Sequence, residues 1–299
     1  MGGLKSMTAT SGPGISLFSE QISFAIGSEV PLVIVDVQRL GPSTGAATKG
    51  ADGDIQFLRW GNSGGLPVIV LAPADIYDCF SLTIHAFNLA EEYRCPVFIA
   101  SNKEIGMTRE SVDLDKLITP AVFNRKTCPE EKPFLPYGPA DESLTPYFLP
   151  MGGKRLVRQT SSMHGPNGYI SVDHKVIGNM VERLQQKLTS AIDRFAHYEL
   201  ITEPNANTLL VVYGVTARAA RKAVKRANNG GNRVSLLILK TLFPVPESLI
   251  RHEIAKVEKV FVVEMNLGQY VREIERLAGR VPVKWAGKMD GELISPAFI

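Results

Sequence analysis

Arg39 stands just beyond a short apolar run, Leu32 to Val37, and is followed by Leu40-Gly41-Pro42-Ser43-Thr44-Gly45-Ala46-Ala47-Thr48. A guanidinium grips a carboxylate through two parallel N–H bonds, and the short polar side chains after it offer further contacts, so this segment suits an organic acid. An arginine paired with a neighbouring acid in a structural loop fits the same spacing. A second segment, Thr8-Ala9-Thr10-Ser11-Gly12-Pro13-Gly14, sets two glycines around a proline at the end of another apolar run. Backbone there can approach a flat or anionic ligand closely, and a plain tight turn is the alternative. In open parallel sheets, ligands sit beyond the carboxyl ends of strands, and both segments occupy such positions.

The elements that would hold these segments read as strand-helix units. Strands are expected at Lys5 to Thr10, Leu32 to Val37, Val68 to Ala72 and Val97 to Ser101, with helices at Ile15 to Ser28 and Asp75 to Arg94. From Ile105 to Gly168, proline, glycine and polar residues dissolve the pattern, which predicts a connector wrapping over a surface. Val172 to Tyr198 reads as one long helix with Val176, Ile177, Met180, Leu184, Leu188, Ala191, Ile192 and Phe195 on its apolar face. Alternation then resumes: strands at Thr208 to Tyr213, Val234 to Leu239 and Val260 to Val263, and helices at Thr216 to Asn228, Glu247 to Lys256 and Gln269 to Ala278. The expected class is α/β, two three-layer domains with mostly parallel sheets. Its divisions are a domain over 1–105, an irregular connector over 106–171, a linking helix over 172–204 and a second domain over 205–299.

Composition narrows the function. The chain has 299 residues, 44% hydrophobic and 21% charged, and a net charge of +3 with no basic run, which gives no electrostatic case for nucleic acid. The apolar runs are far shorter than the roughly 20 residues of a membrane helix, and the N-terminus lacks the apolar core of a signal peptide. Cys79, Cys95 and Cys128 have no metal, cluster or disulfide spacing, which points to a reducing cytoplasm. Glu20, on the helix after the glycine segment, is expected to orient backbone. His164 is expected to be structural, Asp36 to serve a hydrogen bond in its sheet, and Trp60 and Trp285 to fill core or interface.

The stretches Met7 to Gly14, Pro31 to Gly45, Ala86 to Glu91, Pro96-Val97, His164, Glu182 to Leu188 and Val263-Glu264-Met265-Asn266-Leu267-Gly268-Gln269 resemble the α subunit of thiamine-diphosphate-dependent 2-oxoacid:ferredoxin oxidoreductases, closest in the 2-oxoglutarate branch. The resemblance runs through nearly the whole chain. It implies a pyrimidine-binding domain, N-terminally incomplete, followed by a transketolase C-terminal-like domain. It also implies a β subunit that carries the diphosphate site, its magnesium and an iron–sulfur cluster, with thiamine diphosphate shared between the subunits. The implied reaction is oxidative decarboxylation of a 2-oxoacid, with coenzyme A as acyl acceptor and ferredoxin as electron acceptor.

By match to the family motif, Arg39 would bind the carboxylate beside the reacting carbonyl, with Ser43 and Thr44 beside it. Thr48 would help recognise the far end of a dicarboxylic substrate. Thr10, Ser11, Gly12, Pro13 and Gly14 would border the aminopyrimidine. The sequence departs from the family in three places. The two strand-helix units that open the family's first domain, with a Tyr-Pro-Ile-Thr-Pro segment and a catalytic glutamate, are missing. Ala46 to Asp52 replaces a Gly-x-Pro-Thr segment, and Asn62-Ser63-Gly64-Gly65 replaces a Gly-His-Gly-Glu loop. These departures favour, as an alternative, a scaffold that keeps the fold and subunit contacts without catalysis. A sheet without those first strands is also expected to leave an unpaired edge.

Overall fold

The run Met-Thr-Ala-Thr and three runs rich in branched apolar residues form four parallel strands: β1 (Met7–Thr10), β2 (Leu32–Gln38), β3 (Ile69–Leu71) and β4 (Pro96–Asn102). The structure is a computed structural model that describes residues 1–140 and 143–299. Helices α1 (Pro13–Leu17), α2 (Ser19–Gly27), α3 (Ile55–Trp60), α4 (Ile76–Tyr93) and α5 (Lys103–Met107) connect and cover the strands. Helix α4 starts where Asp75 accepts the Asp78 amide and ends at Arg94, which adopts a left-handed conformation (φ +46°) just before Pro96. The first sheet has the order β1-β2-β4-β3, so β1 is an edge, and Met7 and Ala9 on it are exposed.

The expected helix from Val172 to Tyr198 is broken in three. Asp173 caps α6 (His174–Thr189) by accepting the Lys175 and Val176 amides, and a short α7 (Ile192–Phe195) follows. Tyr198–Ile201 is a strand, β5. The chain leaves the helix there because the His197 carbonyl accepts the Lys240 and Thr241 amides, while the His197 amide donates to Thr241 Oγ1. The chain then runs through β6 (Thr208–Tyr213), α8 (Thr216–Asn229), β7 (Val234–Leu239), β8 (Thr241–Phe243), α9 (Glu247–Ile254), β9 (Lys259–Glu264), α10 (Val271–Leu277) and β10 (Val283–Gly287), and all of these strands except β8, which joins the first sheet, build the second sheet with β5. Its order is β10-β9-β6-β7-β5, parallel except for β5.

The division at residue 205 does not separate two cores. Strand β8 leaves the terminal third and pairs antiparallel with β3, and the Ala72 amide donates to the Lys240 carbonyl at 2.8 Å. Ile55, Leu58 and Phe98 of the first part belong to the same buried cluster as Val211, Leu239 and Tyr270 of the second. The irregular stretch between α5 and α6 runs along α4, from the Asp113 amide on the Tyr77 hydroxyl to Asn88 on the Ala121 carbonyl, and on to the amino ends of β1 and β4. Its residues are held by Lys5 Nζ on the Phe123 carbonyl (2.7 Å) and by Arg94 on the Pro136 and Tyr147 carbonyls.

One buried carboxylate ties these pieces together. Glu29 has no solvent exposure and sits at φ +50° between α2 and β2. It accepts Lys187 Nζ at 2.8 Å and Arg183 Nη1 at 3.1 Å, both from α6. Burial alone would raise this carboxyl, but the cations, Lys187 first and Arg183 next, hold it at about 2. Glu29→Gln should lower the unfolding free energy by about 3 to 5 kcal/mol in denaturant titrations, because it leaves Lys187 charged and buried. Since folding depresses this carboxyl, its contribution is complete above the ordinary glutamate value of 4.5 and is lost as pH falls toward about 2. The parent's stability should decline across that window, and that part of the decline should be absent from the variant.

Candidate functional site

Parallel pairing in register places Thr10 of β1 beside Asp36 of β2, so the loops that follow these strands leave the same sheet edge side by side. They touch. Gly12, at φ +50°, carries no side chain, and a Cβ there would stand 3.2 Å from Arg39 Nε and 3.6 Å from the Ser43 carbonyl. The Arg39 stem therefore lies across the glycine, and a larger residue would push it out. Gly14 is pressed against the Thr10 side chain in the same way, and Pro13 opens α1 without a side-chain cap.

Arg39 is half-buried. Its Nε is sealed from water with no hydrogen-bond partner, and no acid pairs with the guanidinium among the described residues. Among the described residues, none supplies the neutralising acid that the structural reading of this arginine calls for. The loop beyond it folds onto itself through Leu40 N to Lys49 O, Ala46 N to Leu40 O and Lys49 N to Ala46 O, each at 2.9 Å. Ser43 (φ +53°) and Gly45 (φ +51°) turn its tip. The Ser43, Thr44 and Thr48 side chains are exposed and make no hydrogen bond among the described residues, so they are free to meet a ligand. Ring closure sets Thr48 next to Lys49, opposite Leu40 and hence near the arginine's own strand end.

Beneath these loops lies a layer of acids that the sequence did not reveal. Asp36 was expected to accept a bond within the sheet, yet no donor reaches either of its oxygens. Its carboxyl instead meets that of Asp54. Burial first, then the charge on Asp54, raises Asp36 well above the ordinary carboxylate range, and a proton shared by the pair supplies the missing donor. Burial also raises Asp54, with the bond to Asp36 opposing. Asp52 is pushed up to about 7, mainly by burial and further by the charge of Glu264, although Asn102 Nδ2 donates to it at 2.6 Å. Glu264, at the end of β9, accepts the Tyr213 hydroxyl (2.8 Å) and the Tyr270 and Val271 amides (2.9 and 3.1 Å). Gln38 accepts the Asp54 amide at 3.0 Å and donates to the Ser101 carbonyl at 3.3 Å. An aspartate inside the run Val-Ile-Val-Asp-Val was the available signal, since a strand so apolar buries whatever it contains.

Other singled-out residues stand apart. Glu20 is exposed on α2. His164 is buried, with Nδ1 on the Ser162 carbonyl at 2.6 Å and its ring 3.8 Å from that of Tyr137, far along the chain from the Arg39 loop. Trp60 and Trp285 remain 57% and 41% exposed, so neither fills this chain's core. Among the described residues, no group of three or more His, Cys, Asp or Glu side chains is arranged to hold a metal ion, and no helix is long and apolar enough to cross a membrane.

Comparison with known proteins decides the family. The family described as pyruvate flavodoxin/ferredoxin oxidoreductase, thiamine diphosphate binding, matches residues 1–183, and pyruvate:ferredoxin oxidoreductase core domain II matches residues 206–299. The chain belongs to this family. By that membership it is part of an oxidoreductase. It is 40% identical to the 2-oxoglutarate synthase subunit KorA of Methanocaldococcus jannaschii, over 99% of this chain and 79% of that protein. It is 33% identical to the ketoisovalerate oxidoreductase subunit VorB of Methanothermobacter marburgensis, over 98% of this chain and 75% of that protein. A solved structure of 2-oxoglutarate:ferredoxin oxidoreductase from Magnetococcus marinus, with 2-oxoglutarate, coenzyme A and succinyl-CoA bound, superposes with a TM-score of 0.91 at 30% identity. The match covers 99% of this chain and 52% of that one.

The acid layer of this family member has a measurable consequence. Because folding raises the Asp36 carboxyl, its protonated form favours the fold below the unfolded value of about 3.9, and that advantage is lost as pH rises through the raised value. Asp36→Asn cannot ionise and donates to Asp54. Its melting temperature should exceed the parent's by a few degrees more at pH 8 than at pH 5, corresponding to roughly 1 to 2 kcal/mol. Scanning calorimetry of the full chain at the two pH values checks this, and an equal difference at both would remove the shared proton.

Proposed function

We propose that this chain is the α subunit of a 2-oxoacid:ferredoxin oxidoreductase whose substrate is 2-oxoglutarate, and that it turns over only with a β subunit. The observation that carries this reading is the Arg39 guanidinium, paired with no acid among the described residues, laid against Gly12 between two strand-end loops. A cation left without a partner at the carboxyl edge of a parallel sheet is suited to an anionic ligand from outside the chain. Arg39 would hold the carboxylate next to the reacting carbonyl, with Ser43 and Thr44 flanking it. Thr48, on the returning leg of the same loop, would meet the distal carboxylate of a dicarboxylic acid.

Residues Thr10 to Gly14 would border the aminopyrimidine of thiamine diphosphate, and the cradle fits a flat ring because Gly12 and Gly14 present backbone where a side chain would intrude. The bound cofactor supplies the electron sink for decarboxylation. This chain's residues would bind and orient the acid through Arg39 and the hydroxyls of its loop. We assign magnesium, the diphosphate site and the iron–sulfur cluster to the β subunit. Cys79 in α4, Cys95 after it and Cys128 in the connector are free and separated. Coenzyme A would accept the acyl group and ferredoxin the electrons. Three thiols left unpaired support a cytoplasmic site of action. In this reading, residues 1–105 are the pyrimidine-binding part and 205–299 the transketolase C-terminal-like part.

Purified alone, the chain should not reduce viologen with 2-oxoglutarate. Mixed with its β subunit it should, whereas a catalytically idle scaffold would stay silent in both. In the reconstituted complex, Arg39→Ala should lower kcat/KM for 2-oxoglutarate on the order of 10- to 100-fold, the loss of a charge-assisted contact of about 1.5 to 3 kcal/mol. An unchanged kcat/KM would take Arg39 out of the site.

A further inference from the structure

The terminal third ends β9 in the turn Glu264 to Gln269, and nothing in the proposed chemistry uses it. Its side chains nevertheless reach across the molecule. Asn266 has no exposure. Its Oδ1 accepts the Gly268 and Gln269 amides of its own turn, each at 3.0 Å, and its Nδ2 donates to the Asp52 carbonyl at 2.8 Å and the Tyr213 hydroxyl at 2.7 Å. Every polar atom of that amide is engaged. Gln269 Nε2 donates to the Gly53 carbonyl, and Gln269 Oε1 accepts the Gln56 amide at 2.9 Å. Gln56 Nε2 returns a bond to the Gln269 carbonyl at 2.8 Å, and the Asp52 amide donates to the Met265 carbonyl at 2.9 Å. Five hydrogen bonds thus join residues 52–56 to residues 265–269.

Their value lies in what they hold. Between Leu40 and Lys49 the backbone bonds only to itself among the described residues, so the loop's place is decided by its two legs. The leading leg is β2, ending in Gln38 and Arg39. The returning leg is the segment that the turn grips, and Asp54 N on Gln38 Oε1 ties the two legs together. Arg39 leaves on one leg and Thr48 returns on the other.

We propose that Asn266 and Gln269 are positioning residues for substrate specificity: by clamping residues 52–56, they steady the returning leg of the loop whose closure sets Thr48 near Arg39, and so favour an acid with two carboxylates over one with a single carboxylate. The proposal rests on the 2-oxoglutarate reading given above. A rigid pair of sites at set spacing rewards only the ligand that spans both, because a ligand then need not order the loop itself. Loosening the clamp leaves Arg39 able to bind one carboxylate and removes the benefit of the second.

Gln269→Glu tests this with little change in shape: it deletes the donor to Gly53 and keeps the acceptor for the Gln56 amide. Gln56→Leu, at a half-buried position, is the second variant should the first fold poorly. Hydrogen exchange on the full chain should show amides of residues 38–56 opening about fivefold faster or more, with β6 unchanged. In the complex with the β subunit, KM for 2-oxoglutarate should rise about tenfold while kcat stays within about twofold, and KM for the monocarboxylic 2-oxobutanoate should hardly move. Exchange that rises equally in both sheets, or not at all, would reduce the turn to a structural contact and overturn the clamp. Local loosening with an unchanged 2-oxoglutarate KM overturns the specificity role if Arg39→Ala does weaken that substrate. If Arg39→Ala also leaves it unchanged, the substrate reading itself has failed.

Discussion

The parallel register of β1, β2 and β4 is the constraint on which the site depends. Parallel strands deliver their carboxyl ends to one edge, so Thr10, Gln38 and Asn102 finish close together whatever follows them. The residues of the proposed site are hung from those three ends: the glycine loop from β1, Arg39 from β2, and through Asn102 the hydrogen bond to Asp52 from β4. A register slip of one residue would turn Asp36 and Gln38 to the opposite face and carry Arg39 away from Gly12. The apolar run on β2 and the wholly buried β4 forbid that slip, because both faces of these strands are covered.

Electrostatics then explains how an arginine stays unpaired three residues from an aspartate and within a loop that contains two more. A carboxylate would ordinarily quench it. Here burial holds Asp36, Asp52 and Asp54 toward their protonated forms, and the charge they retain is spent on one another or on Asn102. The same burial would be ruinous for an isolated charge, which is why Asp36 and Asp54 lie together and one proton serves two carboxyls. Glu29 shows the opposite solution on the other side of the sheet. It is equally buried but surrounded by Lys187, Arg183 and Arg94, and its charge is retained. Two buried acids, one in β2 and one in the turn before it, are thus kept compatible with folding by opposite means, and the one near Arg39 leaves that cation available.

The sequence foreshadowed what is local and missed what is not. Strands β2, β4, β6 and β7 were legible because buried parallel strands must be runs of branched apolar residues. Strands β5 and β10 were not, for Tyr-Glu-Leu-Ile and Val-Lys-Trp-Ala-Gly lie at sheet edges and mix exposed positions with half-buried ones. The long helix gives way to β5 where His197 bonds Thr241, 44 residues beyond it, and no helical periodicity carries that information. Arg39 and Gly12 could be picked out by the strand-end rule alone. Asp52 and Asp54 could not, since Asp-Gly-Asp reads as a polar turn until the sheet above it is known. Asn266 and Gln269 stood out only through family resemblance, because their partners lie 213 to 216 residues away.

The terminal third is a fixed buttress of the first sheet rather than a mobile cover. Strand β8 is inserted beside β3, and the two sheets share one apolar cluster that includes Phe98 and Tyr270. Separating them would expose that cluster, at roughly 25 cal/mol for each Å² of apolar surface, and would break the bonds from Ala72 to Lys240 and from Asp52 to Met265 as well. The turn at Glu264 to Gln269 thus meets residues 52–56 in the geometry that this shared core imposes. The loop that carries Arg39 and Thr48 therefore inherits its stiffness from a core built by distant parts of the chain. A loop of glycine, proline and small polar residues has little beyond its three internal bonds, and this dependence is what lets so permissive a sequence hold one geometry.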